Sequence, residues 1–164
     1  MREAGFRRAV QRILELEKNL LVYCEGDLPD EQLDKVIDVW WYSKDNGSLM
    51  VTLAHLIQTS SRWRDHRVRV LRIVQSEAAR EETRTTLEQR LTDMRLQADV
   101  EVIVSDANPL TVIAQTSRMS AVCFVGLKLG EVSDETSPLS LYEPLVAEAQ
   151  GHLFLTKSWQ ALQH

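Results

Sequence analysis

Five arginines, Arg62, Arg64, Arg67, Arg69 and Arg72, crowd around Trp63 in a chain that is acidic overall. Guanidinium groups at this density have two chemical uses. They pair with surplus carboxylates of the same chain, or Arg62, Arg64, Arg67 and Arg72 form a basic patch that faces anionic lipid headgroups or acidic loops of a partner. A second candidate is the run Lys44-Asp45-Asn46-Gly47-Ser48. It reads as a turn, after which Ser48 caps a helix carrying Leu49, Leu53, Leu56 and Ile57. Free backbone N–H groups at Gly47 and Ser48 would then suit an anion, although a turn and a cap are needed by any α/β unit. A third is Asp38, the lone charge in an apolar run. A buried carboxylate needs a partner, and Arg67 or Arg69 on the following strand would supply it.

The other reactive groups assemble into no reaction centre. His55, His66, His152 and His164 have no second His or Cys at ligand spacing, so no metal site is expected. Cys24 and Cys123 each lie in an apolar run, far apart, and read as small strand hydrophobes in a reducing compartment. GxSxG, GxGxxG and GxxxxGK[ST] are all missing, so neither a cofactor nor an enzymatic activity is expected. Gly126 and Gly130, followed by Ser133 and Ser137, stand where universal stress proteins hold ATP in a glycine-rich loop. Here Pro138 has no N–H to offer a phosphate, and Glu131, Asp134 and Glu135 would repel a triphosphate.

The elements that must position these groups follow from periodicity. Phe6, Val10, Ile13 and Leu16 recur at helical spacing, which predicts a helix over 2–18. Apolar runs predict strands at Leu20–Cys24, Val36–Tyr42, His66–Val74, Val100–Val104, Ala121–Gly126 and His152–Thr156. Between them lie helices starting at Ser48, spanning Glu77–Gln97, running from the Asn108-Pro109 cap to Ser117, and spanning Leu139–Gln150. Strands alternating with helices require crossover connections. The expected fold is therefore α/β: a doubly wound, mostly parallel sheet with helices on both faces.

Composition sets the outer limits. The chain has 164 residues, 44% hydrophobic and 26% charged, which fits one globular domain over 1–164 and excludes a disordered or low-complexity protein. Nineteen Lys and Arg against 24 Asp and Glu give a net charge of −5, which argues against a nucleic-acid partner. No stretch reaches the roughly 20 mainly apolar residues of a membrane span.

With these residues in view, Ile37–Val74 strongly resembles the cytoplasmic C-terminal region of cation–chloride cotransporters. Ile37, Asp38, Val39, Trp40 and Trp41 form that family's IDVWW pentad, and Asp45, Gly47, Leu49, Leu53, Leu56, Trp63 and Arg69 match its pattern position by position. Glu17–Glu25, Met94–Val104, Met119–Gly126 and Leu139–Thr156 are similar to neighbouring segments, so the likeness covers nearly the whole chain. Animal members carry long phosphorylatable insertions after the strand matching Val100–Val104. Ser105–Asn108 is short here, as in a compact microbial version, and phospho-regulation is not carried over.

The resemblance implies an electroneutral cotransporter moving chloride with potassium and/or sodium, the ions binding in a transmembrane bundle that is not part of this chain. The chain would be the distal half of the cytoplasmic region, cut from a longer polypeptide and lying at the cytoplasmic face of the membrane. It would act in regulation and homodimer formation, with an architecture like that of universal stress proteins. The alternative is a free-standing nucleotide-binding sensor of the universal-stress type.

Overall fold

The computed structural model describes residues 2–127 and 140–158. Six strands, β1 (Leu20–Cys24), β2 (Asp34–Trp40), β3 (Arg67–Val74), β4 (Asp99–Val104), β5 (Ser120–Gly126) and β6 (His152–Lys157), form one sheet in the order β1-β6-β5-β2-β3-β4. All neighbours are parallel except β1, which runs antiparallel to β6. From β2 the chain winds outward through β3 to β4, then returns to β5 and winds the other way to β6. The expected doubly wound α/β fold is therefore the fold found.

Helices α1 (Arg2–Glu15), α2 (Lys44–Gln58), α3 (Glu77–Asp93), α4 (Pro109–Thr116) and α5 (Glu143–Glu148) cover the two faces. Met50, Val51 and Ala54 of α2 and Leu87 and Leu91 of α3 share a core with Ile37, Val39, Val70 and Phe124. On the opposite face Val10 of α1, Ile113 of α4 and Leu145 of α5 close over Trp40, Leu71, Cys123 and Leu153. Because both faces of β2 and β5 are covered, both strands read as mainly apolar runs, interrupted in the middle of β2 by Asp38. Among the described residues no helix is long and apolar enough to cross a membrane.

Several boundaries differ from expectation. The largest difference is at α2, whose first turn is Lys44-Asp45-Asn46-Gly47; the true cap is Ser43, whose side chain accepts from the Asn46 N–H at 3.4 Å. These residues are helix, not turn, and Ser48 lies inside it. Helix α3 stops at Asp93 because Arg95 takes a left-handed conformation (φ 58°), four residues before the expected end. Leu16, expected on the apolar stripe of α1, is half exposed, whereas Val10 is buried. Residues 128–138 of the glycine-containing loop, and with them Gly130, Ser133 and Ser137, lie outside the described residues, as do His164 and the side chain of Phe6.

Candidate functional site

The pentad occupies β2 and the residue after it, at the centre of the sheet. Strand alternation sends Ile37, Val39 and Trp41 towards α2 and α3, and Asp38 and Trp40 towards α4 and α5. Ile37, Asp38, Val39 and Trp40 are completely inaccessible. Parallel pairing sets Asp38 directly beside Arg69 of β3. The guanidinium grips the carboxylate with two bonds, Nε to Oδ1 and Nη2 to Oδ2, both 2.8 Å. Arg69 was one of the two partners expected; the other, Arg67, pairs instead with Asp99 at 3.2 Å.

Two hydroxyls complete the shell of Asp38. Ser117 donates to Oδ2 at 2.6 Å and Ser120 donates to the same oxygen. Ser117 in turn accepts from the Trp40 indole N–H at 2.9 Å, which relays the polar end of that tryptophan into the network. The neighbouring Cys123 thiol is pushed far up, first by burial and then by the Asp38 charge, so it stays protonated and inert. Burial also raises Cys24. This arrangement neutralises a buried charge and locks β2, β3 and the start of β5 in register.

The basic cluster is largely engaged within the molecule. Arg62 holds Asp30 with two bonds, 2.6 and 2.9 Å, Arg67 holds Asp99, and Arg69 holds Asp38 and, at 3.3 Å, Glu101. Arg72 donates to the carbonyls of Tyr42 (2.9 Å) and Trp41 (3.4 Å). Arg64 is exposed and has no ion pair among the described residues. Pairing with surplus acids therefore accounts for three of the five arginines, and the wide basic patch narrows to Arg64 and Arg72. At α2, Gly47 donates its N–H to the Ser43 carbonyl at 2.8 Å, so that amide is not open to an anion as the turn reading required. Gly47 lies against the Trp41 indole, and Asp45 sits in the first helical turn, where its charge complements the helix dipole.

A second polar cluster escaped sequence reasoning. His152, at the start of β6 and almost fully buried, has its Nδ1 2.7 Å from the Tyr23 hydroxyl and its Nε2 2.9 Å from Nη2 of Arg62. An arginine only donates, so Nε2 accepts from Arg62, while the Gly26 N–H lies 3.4 Å from Nδ1 beside the Tyr23 hydroxyl. Arg62 also lies 4.4 Å above the ring of Trp63, which meets His152 edge-on. Burial, and then the Arg62 charge, hold His152 below its ordinary value. The Arg62 hydrogen bond holds Asp30 below the usual carboxylate range.

Both shifts act on stability with the same sign. A histidine depressed in the fold gives stability that is complete above its unfolded value of about 6.5 and is lost as pH falls through the lower folded value. Asp30 adds a second loss at lower pH, below its unfolded value of about 3.9. Urea midpoints are thus expected to fall between pH 7 and pH 5, and His152→Gln is expected to flatten that slope. An unchanged slope in the variant would show that His152 does not govern it.

Among the described residues no group of three or more His, Cys, Asp or Glu side chains is placed to hold a metal ion. At the switch point between β2 and β5, Tyr42, Asn108, Gly126 and Tyr142 border a cavity of about 230 Å3, with the Tyr142 hydroxyl donating to the Gly126 carbonyl at 3.0 Å.

Against known proteins, the chain is similar in structure to the cytoplasmic domain of a prokaryotic cation chloride cotransporter, with a TM-score of 0.65 and 14% identity. That match covers 98% of this chain but 62% of the other, so this chain spans less than two thirds of its solved relative. A universal stress protein from Archaeoglobus fulgidus DSM 4304 matches with a TM-score of 0.61 and 14% identity, over 86% of this chain and 50% of that one. These likenesses place the fold among universal-stress-like α/β layers. No curated protein sequence matches the chain. The sequence model of solute carrier family 12 matches residues 17–120, which is more than half of the chain and includes the pentad, Arg69, Glu101, Ser117 and Ser120. On that match, the chain belongs to solute carrier family 12.

Proposed function

We propose that the chain is the distal part of the cytoplasmic C-terminal region of an electroneutral cation–chloride cotransporter, and that it regulates a transmembrane bundle carried by the same polypeptide. The observation that carries this reading is the family match over 17–120, which contains the whole Asp38 network. A module of this kind must hold its shape while it transmits position, and a charge locked across three central strands suits that task. Chloride would move with potassium and/or sodium through the bundle, leaving this module none of the transported ions to bind. The module works as a homodimer at the cytoplasmic face of the membrane, where Arg64 remains available to anionic headgroups.

The test is an immunoblot of fractionated source cells with antibody raised against this chain. A band several times larger than 18.8 kDa in the membrane fraction is expected, followed by chloride-dependent rubidium uptake that is lost when the module is deleted. A band near 18.8 kDa in the soluble fraction would overturn the reading, and calorimetric titration with ATP would then test a free-standing sensor. Dimer formation is checked separately by sedimentation equilibrium of the isolated chain, where twice the chain mass is expected.

A further inference from the structure

We propose that the groove between the start of α2 and the middle of α3 is a binding site for a phosphate group. The groove measures about 260 Å3, and its lining includes Lys44, Arg72 and Arg90, with Glu82 and Thr83 beside them. The three cations come from three separate elements: the first residue of α2, strand β3 and the last turn of α3. Among the described residues none of them has a carboxylate within ion-pair distance, whereas Arg62, Arg67, Arg69, Arg80, Arg84 and Arg118 all do. A concave surface in which one sign of charge predominates concentrates the field and draws in counter-ions.

The groove is also organised in advance. Arg72 is fixed by neutral acceptors, the Tyr42 and Trp41 carbonyls, and its guanidinium stands 5.7 Å from the centre of the Tyr42 ring. These contacts orient the side chain without cancelling its charge, which lowers the entropic cost of binding an anion. At the head of α2 the Lys44 and Asp45 N–H groups precede the first intrahelical bonds, at the positive end of the helix dipole. The half-buried Thr83 adds a hydroxyl with no partner among the described residues. Glu82 is the one carboxylate in the lining. Three cations against one acid, arranged around a small volume, suit a compact oxyanion that accepts charge-assisted bonds from several directions. A phosphate does this with tetrahedrally arranged oxygens that share up to two negative charges.

A soluble phosphorylated molecule and a lipid headgroup share that chemistry, and the experiment separates them. Inorganic pyrophosphate is titrated into the 164-residue chain at low, fixed ionic strength, followed by amide NMR and calorimetry. Saturable shifts are expected at Lys44, Thr83 and Arg90 by about 1 mM ligand. Lys44→Gln and Arg90→Gln are each expected to weaken binding about tenfold, and Glu82→Gln to strengthen it about threefold. Gain of affinity in Glu82→Gln is a readout that a misfolded variant would not produce. Sedimentation with phosphatidylcholine vesicles, with and without phosphatidic acid, then assigns the source. Retention on the acidic vesicles that Arg90→Gln abolishes indicates a headgroup, and pyrophosphate binding without retention indicates a soluble ligand. Absence of saturable shifts, or an affinity indifferent to all three substitutions, would overturn the proposal.

Discussion

Asp38→Ala is expected to lower the free energy of unfolding by about 3–5 kcal/mol, the cost of breaking a buried ion pair from one side. The carboxylate is wholly inaccessible and accepts four hydrogen bonds, two from Arg69 and one each from Ser117 and Ser120. Its removal leaves Arg69, itself largely buried, with only the half-exposed Glu101 at 3.3 Å. Ser117 loses its acceptor, and a buried donor left without a partner costs about 1–3 kcal/mol by itself. Domains of this size are stable by about 5–15 kcal/mol, so the variant is expected to be marginal at 25 °C.

Two companion variants separate charge from volume. Asp38→Asn keeps the shape but places an NH2 group among donors, so it is expected to cost nearly as much as alanine. Asp38→Ala combined with Arg69→Met removes both charges together. In urea denaturation of the four proteins of that cycle, the double variant is expected to be about 1–3 kcal/mol more stable than the sum of the single changes predicts. Strict additivity would mean that the two groups act independently, and the network would lose its role as the lock between β2 and β3.

The alternation of strands and helices was legible because each signal is local. An apolar run such as Ala121–Gly126 reports burial on both faces, and Asn108-Pro109 reports a helix start through its own backbone chemistry. The partner of Asp38 was legible as a choice of two, since parallel pairing of neighbouring strands brings either Arg67 or Arg69 near; only the register selects Arg69. The His152 cluster left no such trace. Tyr23 and His152 are 129 residues apart and meet because β1 joins the sheet antiparallel to β6, a strand order that no local spacing encodes. The cationic groove was hidden for the same reason, as Lys44, Arg72 and Arg90 belong to three elements. Asn46-Gly47 misled more actively. Asn-Gly favours a turn, but here Asn46 is used for its side chain, whose Oδ1 accepts from the Ser158 N–H at 2.7 Å and ties α2 to the end of β6.

Gly47→Ala isolates the reason for the other half of that pair. At an ordinary helix position the change stabilises, by up to about 1 kcal/mol. Here the expected result has the opposite sign, a loss of about 3 kcal/mol, at the upper end of what overpacking costs in a close-packed core. Gly47 has no positive φ to relieve, so backbone freedom is not what the residue supplies. It supplies space: a Cβ would lie 2.2 Å from Cδ2 and 2.3 Å from Cε2 of Trp41, a residue that is itself 3% exposed. A glycine kept for its turn conformation would be damaged by alanine whatever stood beside it. One kept for the indole would tolerate alanine once the indole is gone. Thermal midpoints of Gly47→Ala are therefore to be compared in the natural background and in Trp41→Leu, where the second glycine change is expected to be neutral or stabilising. If alanine were equally harmful in both, the packing of Trp41 on α2 would not be what the glycine serves, and the last residue of the pentad would need another explanation.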